Sequence, residues 1–260
     1  MDRADDPAAR QERLERWAAE RRAHQRPGPA PSRTGPARTR VQRRIALGSR
    51  RALARTRRRL ALGSERLASR VLDRGLGTSG DATEPEHDHP DYVHYRPSPW
   101  HVLPRALRYL GVSDRDTFVD FGCGKGRVVH QAARRPFRRV IGVEISPVLA
   151  EIARTNLAGR RHQHRCRNVE IVVSDAREFQ VPDDLTIAYL NNPFMSETFE
   201  AVLGGIVDSI DRHPRCVRLI YVLPVHASQV LATERFQLLT EQRVPLLDPR
   251  PLRTAIFESR

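Results

Sequence analysis

From residue 99 onward, short β-rich runs alternate with helical stretches, and this alternation is what most restricts the fold. Helix 99–110 leads into strand 117–121 (TFVDF), and helix 126–135 leads into strand 139–143 (RVIGV). Helix 147–158 precedes strands 169–173 (VEIVV) and 185–190 (LTIAYL). Helix 196–211, strand 217–223 and helix 225–233 follow, and strands near 235–243 and 253–258 close the series. Strands separated by helices imply a mostly parallel sheet covered on both faces. The last two strands have no helix between them and predict an antiparallel edge pair.

The 260 residues carry a net charge of +14, and its distribution separates two regions. Residues 1–80 hold 21 Arg, 8 acidic residues and Trp17 as their one aromatic, too little to build a packed core. The reading is an Arg-rich helical and flexible arm over 1–80, a linker over 81–91 and a folded domain over 92–260. Within the arm, 38–74 reads as a basic amphipathic helix suited to a polyanion, either a nucleic acid or an anionic membrane. Forty-four of the 45 basic residues are Arg, a skew that a GC-rich genome explains without functional selection. No apolar run is long enough to span a bilayer, and the N-terminus lacks the apolar core of a secretory signal. Cys123, Cys166 and Cys216 are widely spaced and odd in number, which fits a reducing, cytoplasmic setting rather than a disulfide framework. His87, His89, His162, His164 and Cys166 lack a strict ligand spacing and read as solvated loop residues, so no metal site is expected.

In a doubly wound sheet, ligands bind beyond the carboxyl ends of the strands, where strand order reverses. The chain concentrates its unusual residues at those ends. Asp120-Phe121-Gly122-Cys123-Gly124-Lys125-Gly126 follows the first strand, Glu144 ends the second, Asp175 follows the third and Asn191-Asn192-Pro193-Phe194 follows the fourth. A phosphate-cradling P-loop needs Lys followed by Ser or Thr, and Gly126 excludes it. A dinucleotide fingerprint needs a third glycine where Arg127 stands, which weakens an NAD(P)-binding oxidoreductase reading.

The Asp-x-Gly-x-Gly-x-Gly loop, with acidic residues after the next two strands, resembles the class I S-adenosylmethionine-dependent methyltransferases over about 92–260. The resemblance implies a Rossmann-like seven-stranded α/β fold and S-adenosyl-L-methionine as cofactor. It implies that Asp120 holds the methionyl amino group while Gly122, Gly124 and Gly126 wrap the methionine portion. Glu144 would accept the ribose hydroxyls and Asp175 the adenine amino group, with Ile145 and Ala176 on the ring faces. Carboxylates suit such a ligand, which carries hydroxyl and amino donors and two positive centres.

The Asn191–Phe194 segment resembles the Asn-Pro-Pro-Tyr/Phe sequence of amino-methylating enzymes, and in part the Asn-Asn-Phe segment of non-SET histone lysine methyltransferases. It places Asn191 beside the cofactor as the residue that orients an acceptor nitrogen. Upstream, Tyr92–Trp100 is similar to a Tyr-x-Pro-Ser/Thr-Pro segment of uncharacterised bacterial methyltransferases. Tyr95, or His94, is the candidate for handling a proton. The acceptor stays open among a protein side chain, an RNA base and a metabolite. Besides the oxidoreductase, the rival is a non-catalytic cofactor-binding module tethered by its basic arm.

Overall fold

The computed structural model describes Asp73, Leu76, Thr78, residues 97–192, Phe194 and residues 196–244 and 252–260. The linker, His87, His89, His94, Tyr95 and the 38–74 helix, apart from Asp73, lie outside the described residues.

Seven strands form one sheet flanked by helices. In chain order they are α1 (Val102–Leu110), β1 (Thr117–Phe121), α2 (Arg127–Ala133), β2 (Arg139–Glu144), α3 (Pro147–Gly159), β3 (Val169–Val173) and β4 (Leu185–Leu190). Then come α4 (Ser196–Arg212), β5 (Arg218–Val222), α5 (Ala227–Ala232), β6 (Phe236–Val244) and β7 (Leu252–Ser259). The sheet order is β3-β2-β1-β4-β5-β7-β6, with β7 antiparallel to both of its neighbours. The expected antiparallel pair therefore forms, with β7 tucked inside against β5 and β6 on the rim. The chain winds outward from β1 through β2 to β3, then crosses to β4 on the other side of β1. The crevice between β1 and β4 is the topological switch point.

Period-two alternation divides the strand residues between two cores. Phe118, Val140, Ile187, Tyr189 and Ile220 bury against residues of α1, α2 and α3 on one face. Val119, Phe121, Ile141, Ala188 and Leu219 bury against the other, where Phe199, Val202, Leu203, Ile206 and Ile210 form the helical stripe of α4. Ser146 caps α3, its Oγ accepting from the Leu149 N–H at 3.2 Å with Pro147 in the first turn.

Gly142, paired with Asp120 across β1 and β2, sits where the backbone must stay bare. A Cβ there would lie 2.7 Å from Cys123 Sγ, 2.7 Å from Ile171 Cδ1 and 2.8 Å from Val129 Cγ2. Gly142→Ala is therefore expected to cost roughly 1–3 kcal/mol by overpacking. Thermal melting checks this, and Cys123→Ala in the same chain should return part of the loss.

The packed region reaches further upstream than residue 92. Leu76 is buried, and Thr78 is fully buried under the Arg127 side chain. An arm truncation meant to spare the domain must therefore stop before Asp73. His164 and Cys166 correct the sequence reading: only His162 of that cluster is solvated. His164 is buried with its Nε2 3.0 Å from His130 Nδ1. Burial, followed by the neighbouring His164, pushes the His130 imidazole down to about 4. Cys166 is also buried, and its Sγ lies 3.2 Å from the Asn168 carbonyl.

Candidate active site

The carboxyl end of β1 feeds directly into the glycine loop. Gly122, Gly124 and Gly126 take φ values of 75°, 52° and 80°, left-handed conformations that disfavour any side chain. Gly126 is also pressed on α3, where an added Cβ would meet Ala153 Cβ at 3.0 Å. The loop is pinned to β2 because the N–H groups of Gly122 and Cys123 both donate to the Val143 carbonyl at 2.9 Å. Glu144 completes the cradle: one carboxylate oxygen accepts from Gly124 N–H at 2.7 Å and the other from Ser146 N–H at 3.0 Å. This carboxylate thus holds the loop in shape, and lone pairs remain on its oxygens for a ligand donor.

Asp120 is the electrostatic centre of the arrangement. It is 2 % exposed, and no hydrogen-bond donor reaches its carboxylate among the described residues. Burial, reinforced by the charge of Glu144, holds its pKa well above the usual carboxylate range. Two buried carboxylates that repel each other are a poor arrangement for an empty fold and a good one for a cation. The same pair, after burial itself, pushes the Cys123 thiol up, so Cys123 is unsuited to be a nucleophile.

Asp175 sits after β3, as the sequence suggested, but its carboxylate is engaged by its own loop. Arg177 Nε lies 3.0 Å and Nη2 2.6 Å from Asp175 Oδ2, and Arg177 N–H donates to Oδ1 at 2.9 Å. A ligand amino group must share this carboxylate with Arg177 or displace it. Ala176 is buried and Ile145 half-buried, at the adjacent ends of β3 and β2.

Asn191 and Asn192 emerge from β4 beside β1 and β5. Asn192 takes φ 47°, a conformation asparagine tolerates better than most residues. Its Oδ1 accepts from Tyr221 Oη at 3.3 Å, and the same Oη accepts from His226 N–H at 3.4 Å. Phe199 stacks on Tyr221 with ring centroids 5.2 Å apart and an interplanar angle of 21°. Burial pushes the Tyr221 phenol up to about 12, so it stays a neutral donor. At the end of β5, Leu223 takes φ 51°, so two non-glycine residues with positive φ flank the same crevice.

Sequence reasoning passed over Arg127 except as an obstacle to the dinucleotide reading. The structure makes it the clamp between the glycine loop and the upstream chain. Arg127 is 6 % exposed; its Nη2 lies 2.9 and 2.8 Å from the two Asp73 oxygens and 3.1 Å from the Thr78 carbonyl. Nη1 donates to the Ser98 carbonyl at 3.1 Å, and the guanidinium lies 5.4 Å from the centre of the Trp100 ring. Tyr189, beside Asp120 in the sheet, donates from Oη to Ser98 Oγ at 2.9 Å. Tyr221 and Tyr189 shared one weak signal, a polar-tipped aromatic within an otherwise aliphatic strand.

Comparison with known proteins agrees with this geometry. Residues 118–211 match the family described as methyltransferase domain. The chain is 33% identical over 91 residues to a protein-lysine N-methyltransferase of Saccharolobus islandicus (strain REY15A), across 33% of this chain and 56% of the relative. It thus spans little more than half the length of that relative. Among solved structures, it is similar to an S-adenosylmethionine-dependent methyltransferase from Aquifex aeolicus, at 12% identity and a TM-score of 0.48, over 61% of this chain and 89% of that one. It is also similar to an RNA methyltransferase from Salinibacter ruber in complex with S-adenosyl-L-homocysteine, at 20% identity and a TM-score of 0.41, over 63% and 92% of the two chains.

Proposed function

We propose that this chain, which over residues 118–211 belongs to the class I S-adenosylmethionine-dependent methyltransferases, transfers a methyl group to a nitrogen, with a protein lysine side chain as the favoured acceptor. The observation that carries the activity is Asp120: a buried carboxylate without a protein donor, beside Glu144 and under a left-handed glycine loop at the switch point. The similarity to a protein-lysine N-methyltransferase supports the choice of acceptor.

The cofactor, when bound, supplies an electrophilic methyl on a sulfonium that is already a good leaving group. The residues of this chain then have to bind, align and keep water out. Asp120 pairs with the amino group, and Glu144 accepts the ribose hydroxyls while keeping its bonds to Gly124 and Ser146. Asp175 accepts the adenine amino group in competition with Arg177. Asn191 orients the acceptor nitrogen through its side-chain oxygen, and the Tyr221 bond to Asn192 fixes the neighbouring backbone. Tyr95 is assigned the acceptor proton. A cytoplasmic, reducing setting keeps Cys123, Cys166 and Cys216 as thiols. Among the described residues no helix is long and apolar enough to cross a membrane.

Incubating the full chain with methyl-labelled cofactor and cell extract tests the acceptor. Label should enter the protein fraction on lysine, and Asn191→Ala should reduce incorporation by at least tenfold. Label confined to nucleic acid or to small metabolites would replace lysine with that acceptor class.

A further inference from the structure

On the face of the domain that carries α1, a cavity of about 270 Å³ opens between α1 and the last turn of α2. It is separate from the carboxylate pair: Gln131, in its wall, lies one helical turn beyond Arg127. Leu103, Pro104 and Leu107 form its apolar side, and Trp100, Gln131 and the Arg134–Arg135 pair form the other. Gln131 is 5 % exposed and Trp100 7 % exposed. Gln131 Nε2, Gln131 Oε1 and Trp100 Nε1 are all buried with no hydrogen-bond partner. Buried polar atoms in folded proteins nearly always have partners, and three orphans in one cavity wall point to a missing ligand. At the rim Arg134 and Arg135 are exposed, and neither has an ion-pair partner among the described residues.

The unsatisfied groups describe the ligand. The carboxamide of Gln131 presents a donor beside an acceptor in one plane, which matches the N6/N7 edge of adenine. The Trp100 N–H asks for a further acceptor, as a ring nitrogen supplies. The leucine and proline wall suits a flat ring face, and the two guanidinium groups suit a phosphate. The volume is near the lower end of small-ligand sites and takes one nucleotide rather than a larger molecule. We propose that this cavity is a second, non-catalytic site that binds an adenosine phosphate, either free or as a residue of a polynucleotide. An acidic peptide meets the arginines and the carboxamide but leaves the flat apolar wall without its counterpart.

Calorimetric titration of the full chain with adenosine monophosphate tests this, with adenosine, a six-residue oligoadenylate and polyglutamate as companions. Saturable binding of the monophosphate is expected, weakened at least tenfold by Gln131→Leu and unaffected by Asp120→Ala. The Arg134→Ala/Arg135→Ala variant, altered only at the surface, should lower monophosphate affinity several-fold and leave adenosine affinity unchanged. If Gln131→Leu fails to fold, Gln131→Glu serves, since it replaces the N–H donor with a second acceptor. Tighter binding of oligoadenylate supports a polynucleotide source, and equal binding supports the free nucleotide. Absence of saturable heat overturns the proposal. So does binding that Asp120→Ala abolishes while Gln131→Leu keeps it, since the nucleotide would then occupy the cofactor cradle. Gln131-dependent binding of polyglutamate in place of the monophosphate overturns it too. None of these readings requires methyl transfer, so the proposed activity stands or falls separately.

Discussion

Arg127→Met is expected to destabilise the domain by about 3 kcal/mol or more, the largest single-residue effect in this fold. The substitution keeps the length of the side chain and removes its charge and all of its donors. Asp73 is left as a largely buried carboxylate without its cation, at 17% side-chain exposure. The Ser98 and Thr78 carbonyls lose their donor in the same step. A double substitution, Arg127→Met with Asp73→Leu, should recover much of the loss, because removing both charges avoids the unpaired one. Arg127→Lys should fall between, since an ammonium supplies the charge but not the fork that spans Asp73, Thr78 and Ser98. Chemical denaturation measures each variant, and hydrogen exchange should quicken around residues 73–100 before it does in the sheet. A stability within 0.5 kcal/mol of wild type, about the range of ordinary surface substitutions, would show that Arg127 does not clamp the upstream chain.

The second large effect concerns the cradle. Asp120→Ala and Glu144→Ala should each weaken binding of S-adenosylhomocysteine, the demethylated cofactor, by at least tenfold. Charge-assisted hydrogen bonds contribute about 1.5–3 kcal/mol apiece, and a tenfold loss corresponds to about 1.4 kcal/mol. Glu144→Gln separates geometry from charge. Both oxygens of Glu144 accept backbone N–H groups, so an amide turned either way presents its own donor to a donor. Glu144→Gln should therefore behave much like the alanine variant, with a loosened glycine loop. For Asp120 the conservative variant should be milder in stability, because burial already favours its protonated form. Cofactor binding should also release protons to the buffer, since a cation beside Asp120 lowers the pKa that burial and Glu144 had raised. Titration in two buffers of different ionisation enthalpy reads this release, and wild-type-like affinity in all these variants would remove Asp120 and Glu144 from the site.

Much of this architecture was legible because local chemistry carries it. Thr117–Phe121, Val169–Val173 and Leu185–Leu190 are compact apolar runs ended by glycine or polar residues, and they form strands with the bounds that pattern suggests. Asp120, the glycine loop and Glu144 converge because parallel neighbours place equivalent ends side by side, which follows once the alternation is recognised. What escaped the sequence depends on pairings that no local pattern encodes. Insertion of β7 between β5 and β6 is a choice of sheet order, to which residue periodicity is indifferent. The Arg127–Asp73 and His130–His164 contacts join residues 54 and 34 positions apart. The engagement of Asp175 by Arg177 is local, yet an exposed arginine two residues away carries no sign that it will fold back.

The most direct measurement of the proposed activity is product formation from the cofactor itself. Purified full-length chain, incubated with S-adenosylmethionine and cell extract, should generate S-adenosylhomocysteine in proportion to time and enzyme, as read by mass spectrometry. Asp120→Ala should lose that production while retaining its fold. A wild-type chain that yields no S-adenosylhomocysteine above the extract alone, while binding and turning over a nicotinamide dinucleotide, would contradict the account.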